Sequence, residues 1–210
     1  FDRLFSSHFG KNQVYTRIVR LLSKAHRCTR EQIAHDLNLS NSGGLTEYLF
    51  NLESTGFIRS EVPFAKNIDS KLLRYQIADE YLQYYFRFIQ PNLKRIRQNQ
   101  PQALYQRIAT SPSYAIWKGQ AFERLCHKFH RNIATLLRFD GIVYQAGPHF
   151  NRSLTDPASQ IDLVFDRADN TYTVCEIKYQ HRAPGVELIP DMERRITFLF
   201  SSHDPMVLSR

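Results

Sequence analysis

Gln160-Ile161-Asp162-Leu163-Val164-Phe165 and, a turn later, Thr171-Tyr172-Thr173-Val174-Cys175-Glu176-Ile177-Lys178 are two apolar runs that each carry an acid. Their β-branched and aromatic content, with a polar turn between them, predicts the two strands of a hairpin. Alternation along a strand sends successive side chains to opposite faces. Glu176 and Lys178 therefore share one face, and Cys175 and Ile177 point the other way. Two carboxylates and an amine held on one hairpin can bind a divalent metal and activate water. The plainer reading is an ion pair between Glu176 and Lys178 on a half-exposed strand, a contact that contributes little. Against it, both acids sit inside apolar strands, where a charge needs a reason to be.

Working outward, Ser113 to Leu137 has a helical pattern through Trp117, Ala121, Leu125, Phe129 and Ile133, with Gly119 and Glu123 one turn apart. Ile142 to Ala146 predicts a further strand, Asp191 to Phe200 a helix, and Met206-Val207-Leu208 an apolar tail. The order helix, strand, strand, strand, helix, strand predicts an α/β domain with a mixed sheet over residues 112–210. Oxygen ligands suit Mg²⁺ or Mn²⁺, which keep several waters, so Asp162 and Glu176 suffice as a core pair. Lys178 can orient a water or stabilise charge on a phosphoryl oxygen, and phosphodiester hydrolysis is the reaction such a site suits.

An acid on one strand followed, after thirteen intervening residues, by Glu176-Ile177-Lys178 resembles the PD-(D/E)xK nuclease superfamily. That resemblance implies a restriction-endonuclease-like fold and Mg²⁺-dependent cleavage of DNA. It also implies a supporting acid on the preceding helix, for which Glu123 in Gly119-Gln120-Ala121-Phe122-Glu123 is the matching position. The implied catalytic set is Asp162, Glu176, Lys178 and Glu123, with Asp162, Glu176 and Glu123 on the metal. No Pro precedes Asp162, and Asp156-Pro157 and Pro190-Asp191 fall in loops outside the register.

The first half reads differently. Apolar Val14, Ile18, Leu21 and Leu22 predict a helix over Asn12 to Lys24. Thr29 caps a second helix over Arg30 to Leu37, and Ser42 a third that carries Leu45, Leu49 and Leu52 and ends near Gly56. Phe57 to Val62 and Leu72 to Ile77 follow as strands around a polar loop, which makes residues 1–78 a winged helix-turn-helix. Thr46, Glu47, Asn51 and Glu53 are the outward positions of the third helix, an acidic set for a phosphate-lined groove. Lys66, Lys71 and Arg74 in the wing are better placed to contact DNA phosphates. Residues 79–111 form a helical connector whose stripe of Tyr81, Tyr84, Tyr85, Phe86 and Phe88 is expected to pack rather than to stack on bases.

The run from Arg74 to Asn92, Arg-Tyr-Gln-Ile-Ala-Asp-Glu-Tyr-Leu-Gln-Tyr-Tyr-Phe-Arg-Phe-Ile-Gln-Pro-Asn, resembles a block found in archaeal and bacterial AAA-class ATPases of unknown function. There a winged helix and a nuclease-like domain follow the ATPase. The resemblance implies an ATPase domain upstream of Phe1 as a partner, and an oligomer formed through it. The chain itself contains no G-x-x-x-x-G-K-[ST] pattern, so no ATP site of that kind is expected in it.

The net charge of +8 is concentrated before Gln100, with 15 basic and 9 acidic residues there against 13 and 11 afterwards. DNA is the expected partner. The cysteines Cys28, Cys126 and Cys175 are odd in number and lack CxxC spacing, which argues against a disulfide framework or zinc site and fits the cytoplasm. No run approaches the ~20 apolar residues of a membrane span. His127 and His130 read as a solvated helix face, and Ser201-Ser202-His203-Asp204 cannot form a spatial triad from adjacent residues.

Overall fold

The third helix of the first half ends where glycine allows it. Gly56 adopts φ +75, its N–H donates to the Glu53 carbonyl at 3.0 Å, and the Phe57 N–H reaches back to the Leu52 carbonyl at 2.9 Å. This is a Schellman termination, and the same pair of bonds recurs at Asn38 and Arg138, both at positive φ. In each case the residue just beyond, Leu39, Phe57 or Phe139, is apolar and packs into a core.

The computed structural model describes residues 2–10, 12–25, 27–64, 66, 70–98, 101–150, 160–180, 182 and 185–201. The predicted tail Met206-Val207-Leu208, the Asp156-Pro157 pair and residues 202–204 lie outside them. The architecture is mixed α and β, and the chain divides into two compact units. The first comprises residues 1–61 and 69–111, the second residues 62–68 and 112–210. The expected connector, 79–111, thus clusters with the first unit, and the seven residues Val62–Ile68 with the second.

In the first unit, α1 (Asp2–Phe9) and α2 (Gln13–Lys24) precede the short strand β1 (Cys28–Thr29). Then come α3 (Arg30–Asp36), α4 (Gly43–Ser54), β2 (Ile58–Glu61) and β3 (Arg74–Ile77), in an antiparallel sheet of order β1-β3-β2. Thr29 accepts from the Gln32 N–H while Gln32 accepts from the Thr29 N–H, a complete capping box. Ile18, Leu22, Ile33, Leu49, Leu52, Ile58 and Ile77 are fully buried between these elements. The helical connector expected over 79–111 opens as α5 (Glu80–Tyr84), a π turn (Tyr85–Ile89), a 3-10 turn (Gln90–Asn92) and α6 (Leu93–Arg97). Pro91 lacks an N–H to continue the ladder. Tyr85, Phe86 and Phe88 of the π turn are all buried. These aromatics are buried as packing residues, while Tyr81 stays 65% exposed. Helix α7 (Pro101–Ala109) closes the unit.

After Val62–Ile68 the second unit resumes with α8 (Pro112–Lys128) and α9 (His130–Leu136), followed by β4 (Tyr144–His149), β5 (Ile161–Arg167), β6 (Thr171–Cys175) and α10 (Ile189–Ser201). The single helix expected over 113–137 is interrupted at Phe129, and its expected inner stripe is wrong: Leu125 and Phe129 are exposed, and Arg124 and His127 are buried. Steps of four residues drift by about 40° each on a helix of 3.6 residues per turn, so a long i, i+4 stripe wanders off the packed face. The sheet has order β4-β5-β6 and is wholly antiparallel among the described residues, not mixed. The three-residue connection between β5 and β6 enforces that for the hairpin, since a parallel neighbour needs a crossover. Ala134, Phe139, Leu163 and Phe165 form the core beneath the candidate hairpin, with Cys175 and Ile177 packed against it.

Candidate functional site

Leu163 stands opposite Cys175 in the β5–β6 ladder, so one step further along the same register Asp162 meets the Glu176-Ile177-Lys178 segment. The ladder stops there because a side chain takes over: Asp162 Oδ2 accepts from the Ile177 N–H at 2.8 Å. The carboxylate thereby clamps the middle residue of Glu-x-Lys. Cys175 and Ile177 face the core, as alternation requires, and Glu176 and Lys178 turn to the other side, where Lys178 Nζ pairs with Glu176 Oε1.

Asp162 is only 7% exposed. Burial raises its carboxyl above the usual range; the Ile177 hydrogen bond opposes this, and the nearby carboxylates of Glu123 and Glu176 push it further up. The same coupling reaches Cys126, raised by burial and then by Glu123 and Asp162. Glu123, half-buried on α8, and Glu176, beyond β6, are therefore both close enough to act on the acid of β5.

Three supporting side chains escaped the sequence reading. Arg195 on α10 donates through Nη1 to Glu176 Oε2 and to the Gln160 carbonyl, both at 3.0 Å, while its Nη2 pairs with Asp191. Its signal was the i, i+4 spacing of Asp191 and Arg195, an acid one turn before a base. His127, expected on a solvated face, is 9% exposed and bonds through Nε2 to the Asp162 carbonyl at 2.7 Å. His130 lies 3.2 Å from the Tyr144 hydroxyl. Nothing local in sequence could have paired α8 with β5.

The proposed phosphate contacts differ in exposure. Lys66 and Lys71 are exposed. Arg74 is half-buried, its guanidinium pushed below its ordinary value by burial and by Arg27, with Glu61 opposing. On α4, Thr46 and Glu47 are exposed, but Asn51 donates to the Tyr15 hydroxyl at 2.8 Å and Glu53 accepts from the Ser60 N–H and hydroxyl at 2.6 Å. The outward face of that helix is thus less acidic than its sequence suggests.

Chemically, the acids suit a hard divalent cation: Asp162 is penalised by burial and by two carboxylates, and a cation would relieve all three penalties. Among the described residues, however, no three His, Cys, Asp or Glu side chains converge as one ligand group. Asp162 and Glu176 are the pair that would hold an ion. No described helix is long and apolar enough to cross a membrane.

Residues 85–188 match the family model DUF234, described as archaea bacterial proteins of unknown function. The matched segment contains Glu123, Asp162, Glu176 and Lys178 and stops short of Arg195. An uncharacterised protein of Methanocaldococcus jannaschii is 29% identical over 128 residues, which cover 61% of this chain and 28% of that protein. The aligned part thus spans little more than a quarter of the relative's length. No solved structure matches.

Proposed function

We propose that the second unit is a metal-dependent nuclease module of the PD-(D/E)xK plan, acting on DNA phosphodiesters. The observation that carries this reading is the Asp162 carboxylate bound to the main chain of the Glu176-Ile177-Lys178 segment, with Glu123 from the preceding helix near enough to raise it. The helix, three-strand meander and helix order supports it. Asp162 and Glu176 would hold Mg²⁺ or Mn²⁺, Glu123 would support a ligand, and Lys178 would position water. The bound ion would supply Lewis acidity and a more acidic water. The first unit, in which α2, β1, α3, α4 and the β2–β3 hairpin follow α1, supports a winged helix that presents DNA. An ATPase domain elsewhere in the same polypeptide is the partner that the sequence resemblance implies, with oligomerisation through it.

The test is incubation of the protein, and of the longer polypeptide if one carries it, with Mg²⁺ or Mn²⁺ and supercoiled, linear and single-stranded DNA. Asp162→Ala and Lys178→Ala should each abolish cleavage. Intact DNA in every case, or cleavage untouched by both substitutions, defeats the reading.

One observation favours a second reading, a non-catalytic DNA- or protein-binding module. Both oxygens of Glu176 are held by protein cations, Lys178 and Arg195, where a metal would otherwise balance the charge. Titration calorimetry separates the two: a module of this kind takes up no divalent ion, and substitution of the acids leaves DNA affinity unchanged.

A further inference from the structure

Directly after Lys178 comes Tyr179, 53% exposed. It belongs to a cluster that the chemistry above does not use. Lys118 Nζ lies 5.3 Å from the Tyr179 ring centroid and 5.2 Å from that of Tyr114. Tyr114 stacks on Trp117 at 5.5 Å and 16°, and Phe122 flanks Tyr179 at 5.7 Å. Helix α8 thus supplies Tyr114, Trp117, Lys118 and Phe122 on one side of Tyr179, and Gly119 among them would meet nothing if it carried a Cβ.

We propose that Tyr179 and Lys118 form a nucleotide subsite, next to the Glu-x-Lys segment, that takes an unpaired base of single-stranded DNA. What the strand is brought to rests on the nuclease reading of the neighbouring acids. A half-exposed ring already held by Lys118 and Phe122 is a stacking surface ordered in advance, so little freedom is lost when a base covers it. The Lys118 ammonium supplies charge for the adjoining phosphate. Duplex DNA fits poorly, because each base face is already covered by its neighbour. Only a frayed end, a flap or a single strand presents the free face that Tyr179 needs. Tyr179 is the chain neighbour of Lys178, with consecutive Cα atoms about 3.8 Å apart, so a stacked nucleotide lies near enough to the Glu-x-Lys segment to set which phosphate reaches the acids.

The experiment is fluorescence anisotropy in EDTA, so that metal-dependent cleavage plays no part, with a labelled oligothymidylate and a blunt duplex. Tyr179→Ala should weaken oligothymidylate binding about tenfold, and Tyr179→Phe should retain it. Duplex affinity should change by less than about twofold. Lys118→Ala should weaken single-strand binding and flatten its salt dependence. Unlabelled oligothymidylate should quench Trp117, the single tryptophan of the chain. The subsite is overturned if the protein does not bind oligothymidylate, if Tyr179→Ala has no effect, or if it weakens single strand and duplex alike. The cleavage assay with Asp162→Ala and Lys178→Ala judges the nuclease reading separately, so stacking without cleavage and cleavage without stacking are distinct results.

Discussion

His127 on α8 grips the main chain of Asp162 at 2.7 Å, while the side chain of the same aspartate accepts from Ile177 at 2.8 Å. A carbonyl oxygen can only accept, so His127 Nε2 carries the proton. The residue at the centre of the site is thus fixed from two sides, by a helix and by the next strand.

Removing the first of these bonds with His127→Ala strands a buried carbonyl, at a cost of about 1–3 kcal/mol. Urea unfolding followed through Trp117, which lies on the same helix, should show that loss. His127→Gln, which keeps a donor, should recover part of it.

Asp162 titrates in the direction opposite to that of most acids in ion pairs. Its carboxyl is raised in the folded protein, so the fold binds this proton more tightly than the unfolded chain does. Protonation therefore stabilises. Stability contributed in this way is present at low pH and is lost as pH rises from the ordinary carboxylate range through the raised value. Asp162→Asn keeps an acceptor for Ile177 and removes the charge, so at neutral pH it should melt higher than the parent. The gap should close as pH falls through that window, and melting curves across pH would show it.

Arg195 neutralises Glu176 with a side chain that is 20% exposed, against 11% for the glutamate. Arg195→Ala should lower stability by about 1–3 kcal/mol, since it leaves a largely buried charge with one cation fewer. The same change should strengthen Mg²⁺ binding, because an ion no longer competes with the guanidinium for Glu176. Calorimetry and thermal melts of one variant test both directions.

Cys28 and Cys175 are each raised to about 11, chiefly by burial. At pH 8 nearly all of each stays as thiol, and the thiolate is the reactive form. Neither should react appreciably with a disulfide reagent in the folded protein, and both should do so at once in denaturant.

Local spacing made the hairpin legible. Alternation alone put Glu176 and Lys178 on one face and Cys175 and Ile177 on the other, and the caps at Thr29 and Gly56 located the ends of two helices. What local spacing missed came from tertiary contact. Arg195 and His127 belong to helices far along the chain from the residues they hold, and Glu53 left the exposed face of α4 to serve β2. Of the aromatic run after Asp79, Tyr85, Phe86 and Phe88 pack as expected and Tyr81 does not, and the π turn went unforeseen because it has no distinctive composition.

A consequence for dissection follows from Phe64. It is buried with Ile161 and Val164, meets Tyr172 edge-on, and donates its N–H to the Pro148 carbonyl at 2.6 Å, yet it lies forty-eight residues ahead of Pro112. The second unit is therefore not a continuous stretch of gene. A fragment cut at residue 112 would leave the first strand of the acid-bearing hairpin without its aromatic lid, and should aggregate or melt early where the whole chain does not. During synthesis the lid emerges first and must wait for the rest of its core, so transplanting the later residues alone into another protein would carry the acids without the seal over their strand.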